Sequence, residues 1–439
     1  MDYIFQTGHG KELAKAEILS VLGDPTNTNG TILDEVDDGF VVRTDLRDAQ
    51  ALLNNMGGIV RITEILSSGP AAMPLNFEEW IVKAMKNEIK APAEEKGVGK
   101  LGKTRFGLSM HPKSEKILKK ILINSKKNLK SSLGNTRFVN KDFQNLSSVQ
   151  AWHENLLAEG AIELHLFKSI DASAAASSAL KWYLSKTLAI QDFEWYSHRD
   201  FDRPERSARN GMLPPKLAQI LINLATPAVP SVPGHGATPS TAVPEHETTI
   251  FDPFCGTGTV LQEALLMGYA ALGSDIEATL IESAETNLKW LRTEVENAFD
   301  SDLPASTLFQ CDATALASKD LPSATSKNNF VIVSETTLGP PLSELPSPSR
   351  LKEIQADLES LYSAFFKNLK RIISSKVTVV FTAPYHKDRD DRYLLPYLPQ
   401  ILESYGDIVA LSENSRPSLF YERKDQTVGR EIWKIICEP

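Results

Sequence analysis

Three aspartates in the C-terminal half of the chain could each bind a different part of one ligand. Asp252, Asp275 and Asp312 each follow a short apolar run of the kind that forms a β-strand. In open α/β sheets, ligands bind beyond the carboxyl ends of the strands. A carboxylate only accepts hydrogen bonds and attracts cations. Asp252 therefore suits an ammonium group, Asp275 suits two ribose hydroxyls, and Asp312 suits the exocyclic amine of adenine. The pattern predicts a ligand with aminoacyl and adenosine parts and no phosphate.

Two glycines lie in the turn after the first of these strands. Gly256 and Gly258 would let backbone N–H groups approach a ligand, and the helix predicted from Thr259 would add the positive end of its dipole. A dinucleotide-binding turn has a third glycine at the position that Leu261 occupies, so a nicotinamide cofactor is disfavoured. Two neighbours of the turns complete the predicted cofactor-binding set, Phe254 and Ile276.

Alternating strands and helices must position these residues. From about residue 175 to the C-terminus the pattern predicts an α/β domain with a doubly wound, mostly parallel sheet that ends in an antiparallel hairpin. A stretch at 226–248, rich in Pro, Ala, Ser and Thr, is expected to be a flexible insertion. Residues 1–72 are predicted to form a ferredoxin-like α+β domain, and residues 73–172 a basic α+β domain.

Charge is unevenly distributed along the chain. Residues 81–150 contain 16 Lys/Arg and 5 Asp/Glu, a balance of +11, so the rest must sum to −9 − 11 = −20. Such an asymmetry favours one module that binds a polyanion, although a solvated lysine-rich helix would give the same count. The proposed phosphate-binding side chains are Lys113, Lys116, Lys120 and Lys127.

The cysteines and the hydropathy of the sequence indicate the cellular compartment of the protein. Cys255, Cys311 and Cys437 form neither a CxxC pair nor a metal-ligand spacing, so we expect no disulfide framework and no metal. No signal-peptide pattern and no apolar run long enough for a bilayer are found in the sequence. We expect a cytoplasmic protein without a membrane partner.

Several segments together resemble a known family. Asp252-Pro-Phe-Cys-Gly-Thr-Gly-Thr259 and Gly273-Ser-Asp-Ile276 are similar to motifs of the THUMP-containing RNA methyltransferases, in particular the tRNA guanosine-N2 methyltransferases. Arg199-Asp-Phe-Asp-Arg-Pro204 and Gly211-Met-Leu-Pro-Pro-Lys-Leu-Ala218 look like the family's segment ahead of the first motif. The resemblance implies a Rossmann-like class I methyltransferase domain, S-adenosylmethionine as cofactor, a THUMP-like domain over 73–172, and tRNA or another structured RNA as partner.

The catalytic motif departs from that family. Its amino-methylating members have Asp/Asn-Pro-Pro-aromatic after the fourth strand, where this chain has Ser334-Glu-Thr-Thr337. Ser334 or Glu335 would replace the hydrogen-bond acceptor, and Thr337 replaces the ring that stacks on a flipped-out base. Three interpretations remain open. The first is an active enzyme that uses Glu335 and a ring from elsewhere, such as Tyr385. The others are a degenerate module that binds the cofactor and RNA, and an amino-methyltransferase acting on DNA or a protein amine.

Overall fold

A computed structural model describes most of the chain. The described residues are 1–23, 30–70, 76–89, 104–130, 136–170, 180–206, 212–226, 248–321, 329–340, 342, 344–388, 391–413, 416–423 and 426–439. The predicted insertion at 226–248 lies outside them except for its two end residues. Among the described helices, none has both the length and the apolar character that crossing a bilayer requires.

Strands and helices alternate through much of the chain. The strands are β1 Asp2–Thr7, β2 Thr31–Val36, β3 Gly39–Arg43, β4 Ile59–Pro70, β5 Thr104–His111, β6 Thr136–Phe138, β7 Ala161–Lys168, β8 Lys181–Ile190, β9 Thr248–Asp252, β10 Ala270–Asp275, β11 Ser306–Gln310, β12 Asn329–Glu335, β13 Val377–Asp388, β14 Asp391–Tyr393, β15 Gly406–Ile408, β16 Leu419–Tyr421 and β17 Val428–Cys437. The α-helices are α1 Lys11–Leu22, α2 Ala49–Asn54, α3 Phe77–Glu88, α4 Glu115–Lys130, α5 Ser148–His153, α6 Phe193–Ser197, α7 Pro215–Ala225, α8 Thr259–Leu266, α9 Ala278–Phe299, α10 Pro348–Ile372 and α11 Leu398–Glu403. Single 3₁₀ turns span Lys141–Phe143, Ala313–Ala315 and Ser318–Asp320, and a π-helical turn spans His198–Asp202.

The chain divides into two compact units. The first comprises Met1–Lys11, Leu22–Asn54 and Ile59–Phe193; the second comprises Glu12–Val21, Asn55–Gly58 and Glu194–Pro439. The first unit contains an eight-stranded sheet in the order β2-β3-β1-β4-β8-β7-β5-β6. Strands from both predicted N-terminal domains therefore belong to one sheet. The boundaries near residues 72 and 172, and the THUMP-like character of the second domain, stay predictions.

Helix α4 is amphipathic. Leu118, Ile121, Leu122 and Leu129 are at most 2% exposed and pack into the core beside β5 and β7. Their spacing follows one face of an α-helix, so the remaining faces point to solvent. The predicted phosphate-binding lysines are exposed: Lys113 just before the helix, and Lys116, Lys120 and Lys127 on it.

The second unit contains a nine-stranded sheet. Along its main path the order is β11-β10-β9-β12-β13-β17-β15, with β14 beside β13 and β16 beside β17. The first five strands run parallel, whereas β17 is antiparallel to β13. This confirms the predicted Rossmann-like α/β class with an antiparallel end. The chain adds β10 and β11 on one side of β9 and then returns to place β12 on its other side. Such a reversal creates a crevice at the strand ends.

Both faces of this sheet are covered by helices. Ile250 and Val380 point to the face where α1, α7, α8 and α9 contribute buried residues, while Phe251 and Val379 point to the face covered by α10 and α11. Successive residues of a strand point to opposite faces, so buried strands need continuous apolar runs. That is why runs such as Val377–Thr382 were recognisable from sequence.

Not every predicted element is found as expected. The sequence pattern near residues 393–405 predicts one helix, but β14 ends at the start of this segment and α11 covers only Leu398–Glu403. Pro396 contributes to the late start, since proline disfavours a helical conformation in the residue before it, whereas Pro399 lies in the first turn of α11, where proline is tolerated. The predicted closing hairpin is confirmed by the antiparallel pairing of β16 with β17.

Candidate functional site

A cavity of about 410 Å³ lies at the carboxyl ends of β9, β10 and β12. This volume is in the range of small-molecule sites. Seven of the nine residues predicted to bind the cofactor or to act in catalysis line this cavity: Asp252, Phe254, Gly256, Asp275, Ile276, Asp312 and Glu335. The other two, Gly258 and Ser334, are not part of the lining. Tertiary structure thus brings the three strand-end aspartates to one crevice. Glu277 is the fifth acidic residue of the lining, and no lysine or arginine is found among the described lining residues.

The glycine turn has the backbone conformation that its sequence predicts. Gly256 and Gly258 have φ angles of 52° and 88°, in the left-handed region that glycine adopts without strain. Gly258 caps the N-terminus of α8. A Cβ atom at Gly256 would have no heavy atom within 4 Å, so space remains open beside the turn. The fully buried Asn287 holds this turn in place, because its Nδ2 donates to the Thr257 carbonyl at 2.9 Å.

Asp275 connects the ends of two strands. Its Oδ2 accepts a hydrogen bond from the Gly256 N–H at 3.0 Å, and its Oδ1 accepts one from the Glu277 N–H at 3.0 Å. The carboxylate is therefore held rigidly at the end of β10. Each of its oxygens retains a further lone pair, so the group can still accept from two ligand hydroxyls.

Asp252 is almost completely buried at the end of β9. It is 2% exposed, and its Oδ1 accepts hydrogen bonds from the Ser334 hydroxyl at 2.6 Å and from the Phe254 N–H at 3.1 Å. Burial raises the pKa of Asp252 to about 8, although both hydrogen bonds favour the ionised form. A cationic group that entered the cavity would favour ionisation further.

Asp312 and Ile276 form the more open side. Oδ1 of Asp312 accepts from both the N–H and the hydroxyl of Thr314, each at 2.8 Å, so this aspartate caps a 3₁₀ turn. Ile276 is 60% exposed although it is apolar. An exposed branched side chain beside an oriented carboxylate is suited to contact a flat heterocycle.

Hydrogen bonds connect the altered catalytic motif, Ser334 to Thr337, to the rest of the protein. Ser334 donates to Asp252, and the Thr336 hydroxyl donates to the Thr382 carbonyl at 2.7 Å. Glu335 accepts a short hydrogen bond from Nε of Arg430, whose side chain is 2% exposed. Burial raises the pKa of Glu335, and the Arg430 guanidinium opposes this effect. Of the two predicted acceptors, only Glu335 lines the cavity.

The ring expected from Tyr385 is not in the cavity. Tyr385 is fully buried, its hydroxyl donates to Glu422 at 2.5 Å, and its ring packs edge-on against Phe420. It therefore cannot stack on a base in this conformation, and that expectation is wrong. Thr337, at the position of the family's aromatic residue, is exposed and its hydroxyl accepts from the Gly339 N–H.

Sequence comparison agrees with this geometry. Residues 240–393 match the family model described as RMKL-like, methyltransferase domain. The resemblance of the C-terminal part to methyltransferases is thereby confirmed, and the matched segment contains the glycine turn, all three strand-end aspartates and Glu335.

One relative of the chain has a named activity. The chain is 31% identical over 110 residues to the tRNA (guanine(10)-N2)-dimethyltransferase of Methanothermobacter thermautotrophicus. The match covers 25% of this chain and 27% of the archaeal protein, so the chain spans about a quarter of the length of that relative.

Solved structures of methyltransferases are also similar. A possible methylase from Clostridium difficile 630 has 13% identity and a TM-score of 0.44, over 100% of this chain and 98% of that one. A putative RNA methyltransferase from Pyrococcus horikoshii has 12% identity and a TM-score of 0.28, over 54% of this chain and 91% of that one.

Two residues that support the site were not found by sequence reasoning. Arg430 belongs to the antiparallel strand β17, 95 residues after Glu335, and Asn287 lies 30 residues after Thr257. Neither has a local motif that reveals its partner. Strand β17 also contains Glu431 and Lys434, so its sequence did not single out Arg430.

Proposed function

We propose that the chain is an S-adenosylmethionine-dependent methyltransferase that methylates an exocyclic base amine, guanosine N2, in tRNA in the cytoplasm. The observation that carries this proposal is the convergence of Asp252, Asp275 and Asp312 on one cavity beside the Gly256–Gly258 turn. These groups suit the ammonium, the ribose and the adenine of an aminoacyl-adenosine ligand.

The residues present fit this cofactor. Open space beside Gly256 permits close approach of a ligand to the backbone, and Asp275 is held with unused acceptor capacity. S-adenosylmethionine, when bound, supplies an electrophilic methyl group on a sulfonium. The five acidic side chains of the lining favour a ligand that carries positive charge at its sulfonium and ammonium.

Glu335 would position the acceptor amine. Glu335 lines the cavity and Arg430 binds one of its carboxylate oxygens, so the other oxygen would accept a hydrogen bond from an N–H of the substrate. Such a bond orients the amine and keeps its lone pair directed at the methyl group. Methyl transfer depends mainly on this alignment, so a glutamate can replace the family's Asp/Asn.

The proposal of tRNA as substrate has two supports. The curated relative that matches 110 residues is named a tRNA methyltransferase. Independently, exposed lysines before and on α4 provide a surface for phosphates, within the proposed THUMP-like domain. Contacts of this kind bind the backbone and leave selection of the nucleotide to the cavity.

The direct test is incubation with unmodified tRNA and methyl-labelled S-adenosylmethionine, followed by nucleoside analysis. We expect label in N2-methylguanosine, and we expect Glu335→Gln to reduce the transfer rate at least 100-fold. Glu282→Gln, which alters an exposed acid on α9, serves as the matched control. Equal transfer to DNA would contradict the proposed substrate class.

A second candidate is a module that binds cofactor and RNA without transfer. It is favoured by the hydrogen bonds that occupy Ser334 and Thr336 and by the pairing of Glu335 with Arg430. The same assay separates the two, because this module would bind both partners and leave the tRNA unlabelled.

A further inference from the structure

His198 begins the π-helical turn of the second unit and lies between two carboxylates. Its Nδ1 is 2.9 Å from Oδ2 of Asp202 in the same turn, and its Nε2 is 2.9 Å from Oε2 of Glu294 on α9. An ionised carboxylate only accepts hydrogen bonds, so both ring nitrogens must donate. Only the imidazolium has a proton on each nitrogen, and the geometry therefore indicates the charged form of this histidine.

Two tryptophan rings flank His198 and favour the same form. The ring of Trp195 is stacked on it, with centroids 5.4 Å apart and an interplanar angle of 28°. The ring of Trp290 on α9 lies 5.1 Å away and is tilted by 49°. The face of an aromatic ring attracts a cation. The side chain of His198 is 30% exposed, so a proton can still exchange with solvent.

The charged groups that face the ring come from both elements packed around it. Asp202 belongs to its own turn and Glu294 to α9. Burial by itself would lower the pKa of His198, but the hydrogen bonds to these two carboxylates outweigh burial and raise it above its usual value. The ring therefore changes charge within or just above the neutral range of pH.

Residues further along the same segment contact the lining of the cavity. The Arg203 guanidinium donates to the hydroxyl of Thr259 at 2.7 Å, and Thr259 lines the cavity. The backbone N–H and carbonyl of Glu205 form 2.9 Å hydrogen bonds with the side chain of Asn287, the residue of α9 that also holds the glycine turn. Helix α9 thus binds the segment at its start through Glu294 and near its end through Asn287.

These two attachments respond differently to pH. The contact through Asn287 is uncharged, whereas the contact through Glu294 requires a proton on the ring. A neutral imidazole keeps one N–H and presents a lone pair at the other nitrogen, so one of the two carboxylates would then face an acceptor. One hydrogen bond is lost and repulsion replaces it. The start of the segment is therefore held less firmly after His198 loses its proton.

We propose that His198 is a proton-operated latch, which as an imidazolium holds residues 198–205 against α9 and releases the start of this segment when it is deprotonated. The effector is the proton itself. Release weakens the support of Thr259 and of the glycine turn, so the wall of the cavity becomes more mobile as the pH rises. A π-helical turn is rare and often lies at a functional site, which agrees with a role of this kind. The inference goes beyond the proposed function and does not depend on which ligand the cavity binds.

The direction of the effect follows from the raised pKa. A histidine that binds its proton more tightly in the folded protein stabilises the fold fully below about pH 6.5, the value of an unfolded chain. That contribution is lost as the pH rises through the pKa of the folded state. The segment should therefore be well protected at pH 6 and less protected at pH 8.5.

The first test measures the protonation of the ring in the wild-type protein. In NMR spectra of the full chain with isotope-labelled histidine, both nitrogens of His198 should carry protons at pH 6.5, and the titration midpoint should lie above about 6.5. The spectrum of His198→Gln assigns the signal. A midpoint at or below 6.5 overturns the latch.

The second test measures the attachment of the segment. Hydrogen exchange of the ligand-free protein, read by mass spectrometry and corrected for the intrinsic effect of pH, should show at least a threefold loss of protection in residues 198–205 between pH 6 and pH 8.5. His198→Gln should have the lower protection at both pH values. His153→Gln, which alters an exposed histidine on α5, is the matched control and should follow the wild type.

A third variant keeps the latch but removes its dependence on the proton. The amide of Glu294→Gln can donate to a neutral ring nitrogen, so this variant should stay protected at both pH values. Protection that does not change with pH in the wild type overturns the inference, and so does a wild-type response to pH in both His198→Gln and Glu294→Gln. Because no ligand is present, failure of the proposed function leaves this outcome unaffected.

Discussion

The hydroxyl of Ser334 donates a 2.6 Å hydrogen bond to Oδ1 of Asp252, and both residues are at most 2% exposed. A residue expected to serve the methyl acceptor therefore contacts the carboxylate expected to serve the donor. The hydrogen bond joins the ends of β9 and β12, the two strands on either side of the reversal in strand order. Under the proposed function, Ser334 would thus belong to the donor side of the cavity, and Glu335 would be the acidic residue of the acceptor side.

Asp252 should make both folding and ligand binding depend on pH. Its pKa in the folded protein is about 8, above the value near 4 of an unfolded chain. The folded state therefore binds the proton more tightly, and this contribution to stability is full below pH 4 and lost as the pH rises through 8. Glu17, with a pKa raised by burial to about 7, acts with the same sign. Melting temperatures of the wild type and Asp252→Asn, measured from pH 5 to 9, should diverge with rising pH in favour of the variant.

The same titration should appear in ligand affinity. Binding of the ammonium requires the ionised form of Asp252, so affinity for S-adenosylhomocysteine should increase between pH 6.5 and 8.5. Calorimetry with Asp252→Asn should give a weaker affinity that changes little over this range. A variant that kept the wild-type profile would show that another group governs it.

Asp275 should be essential for donor binding. Asp275→Ala removes the acceptor of the Gly256 and Glu277 N–H groups together with the expected ribose contacts. We expect affinity for S-adenosylhomocysteine to fall at least tenfold, which calorimetry can measure directly. Asp407→Ala, at an exposed position on β15, is the control and should leave affinity unchanged.

The Glu335–Arg430 pair should be strongly coupled. Arg430→Met leaves the Glu335 carboxylate without its cation in a buried position, and removal of one partner of such a pair costs about 3–5 kcal/mol of unfolding free energy. The double variant Glu335→Gln/Arg430→Met should recover much of that loss. Urea unfolding of the wild type, both single variants and the double variant gives the coupling energy. Additive losses would mean that the contact is unimportant in solution.

The lysines of α4 should set the salt dependence of RNA binding. Replacing Lys116, Lys120 and Lys127 together by glutamine should weaken tRNA binding and lower the slope of log affinity against log salt, by at most about one per lost phosphate contact. Affinity for S-adenosylhomocysteine should not change. The control removes three exposed lysines of α10 instead, Lys352, Lys367 and Lys370. An equal effect of both triple variants on the salt slope would assign the effect to net charge alone.

The sequence by itself determined that three strand-end aspartates line one cavity. A strand, a glycine turn and a helix are adjacent along the chain, and the rule that parallel strands present their carboxyl ends to one crevice brings Asp252, Asp275 and Asp312 together. These relationships follow from local patterns and a common topology. The basic character of α4 could likewise be read directly, because charge and helical spacing are properties of one continuous segment.

Tertiary structure alone decided which side chains are paired. Ser334 meets Asp252 across 82 residues, Glu335 meets Arg430 across 95, and Arg203 reaches Thr259 across 56. Strand register and the antiparallel course of β17 create such contacts, and a shift of one residue would turn each side chain to the other face of the sheet. Hydrophobic patterns predict which face of a strand is buried, but they do not predict which two buried polar side chains will contact each other. The different partners of Ser334 and Glu335, which are adjacent in sequence, therefore became visible only in the folded chain.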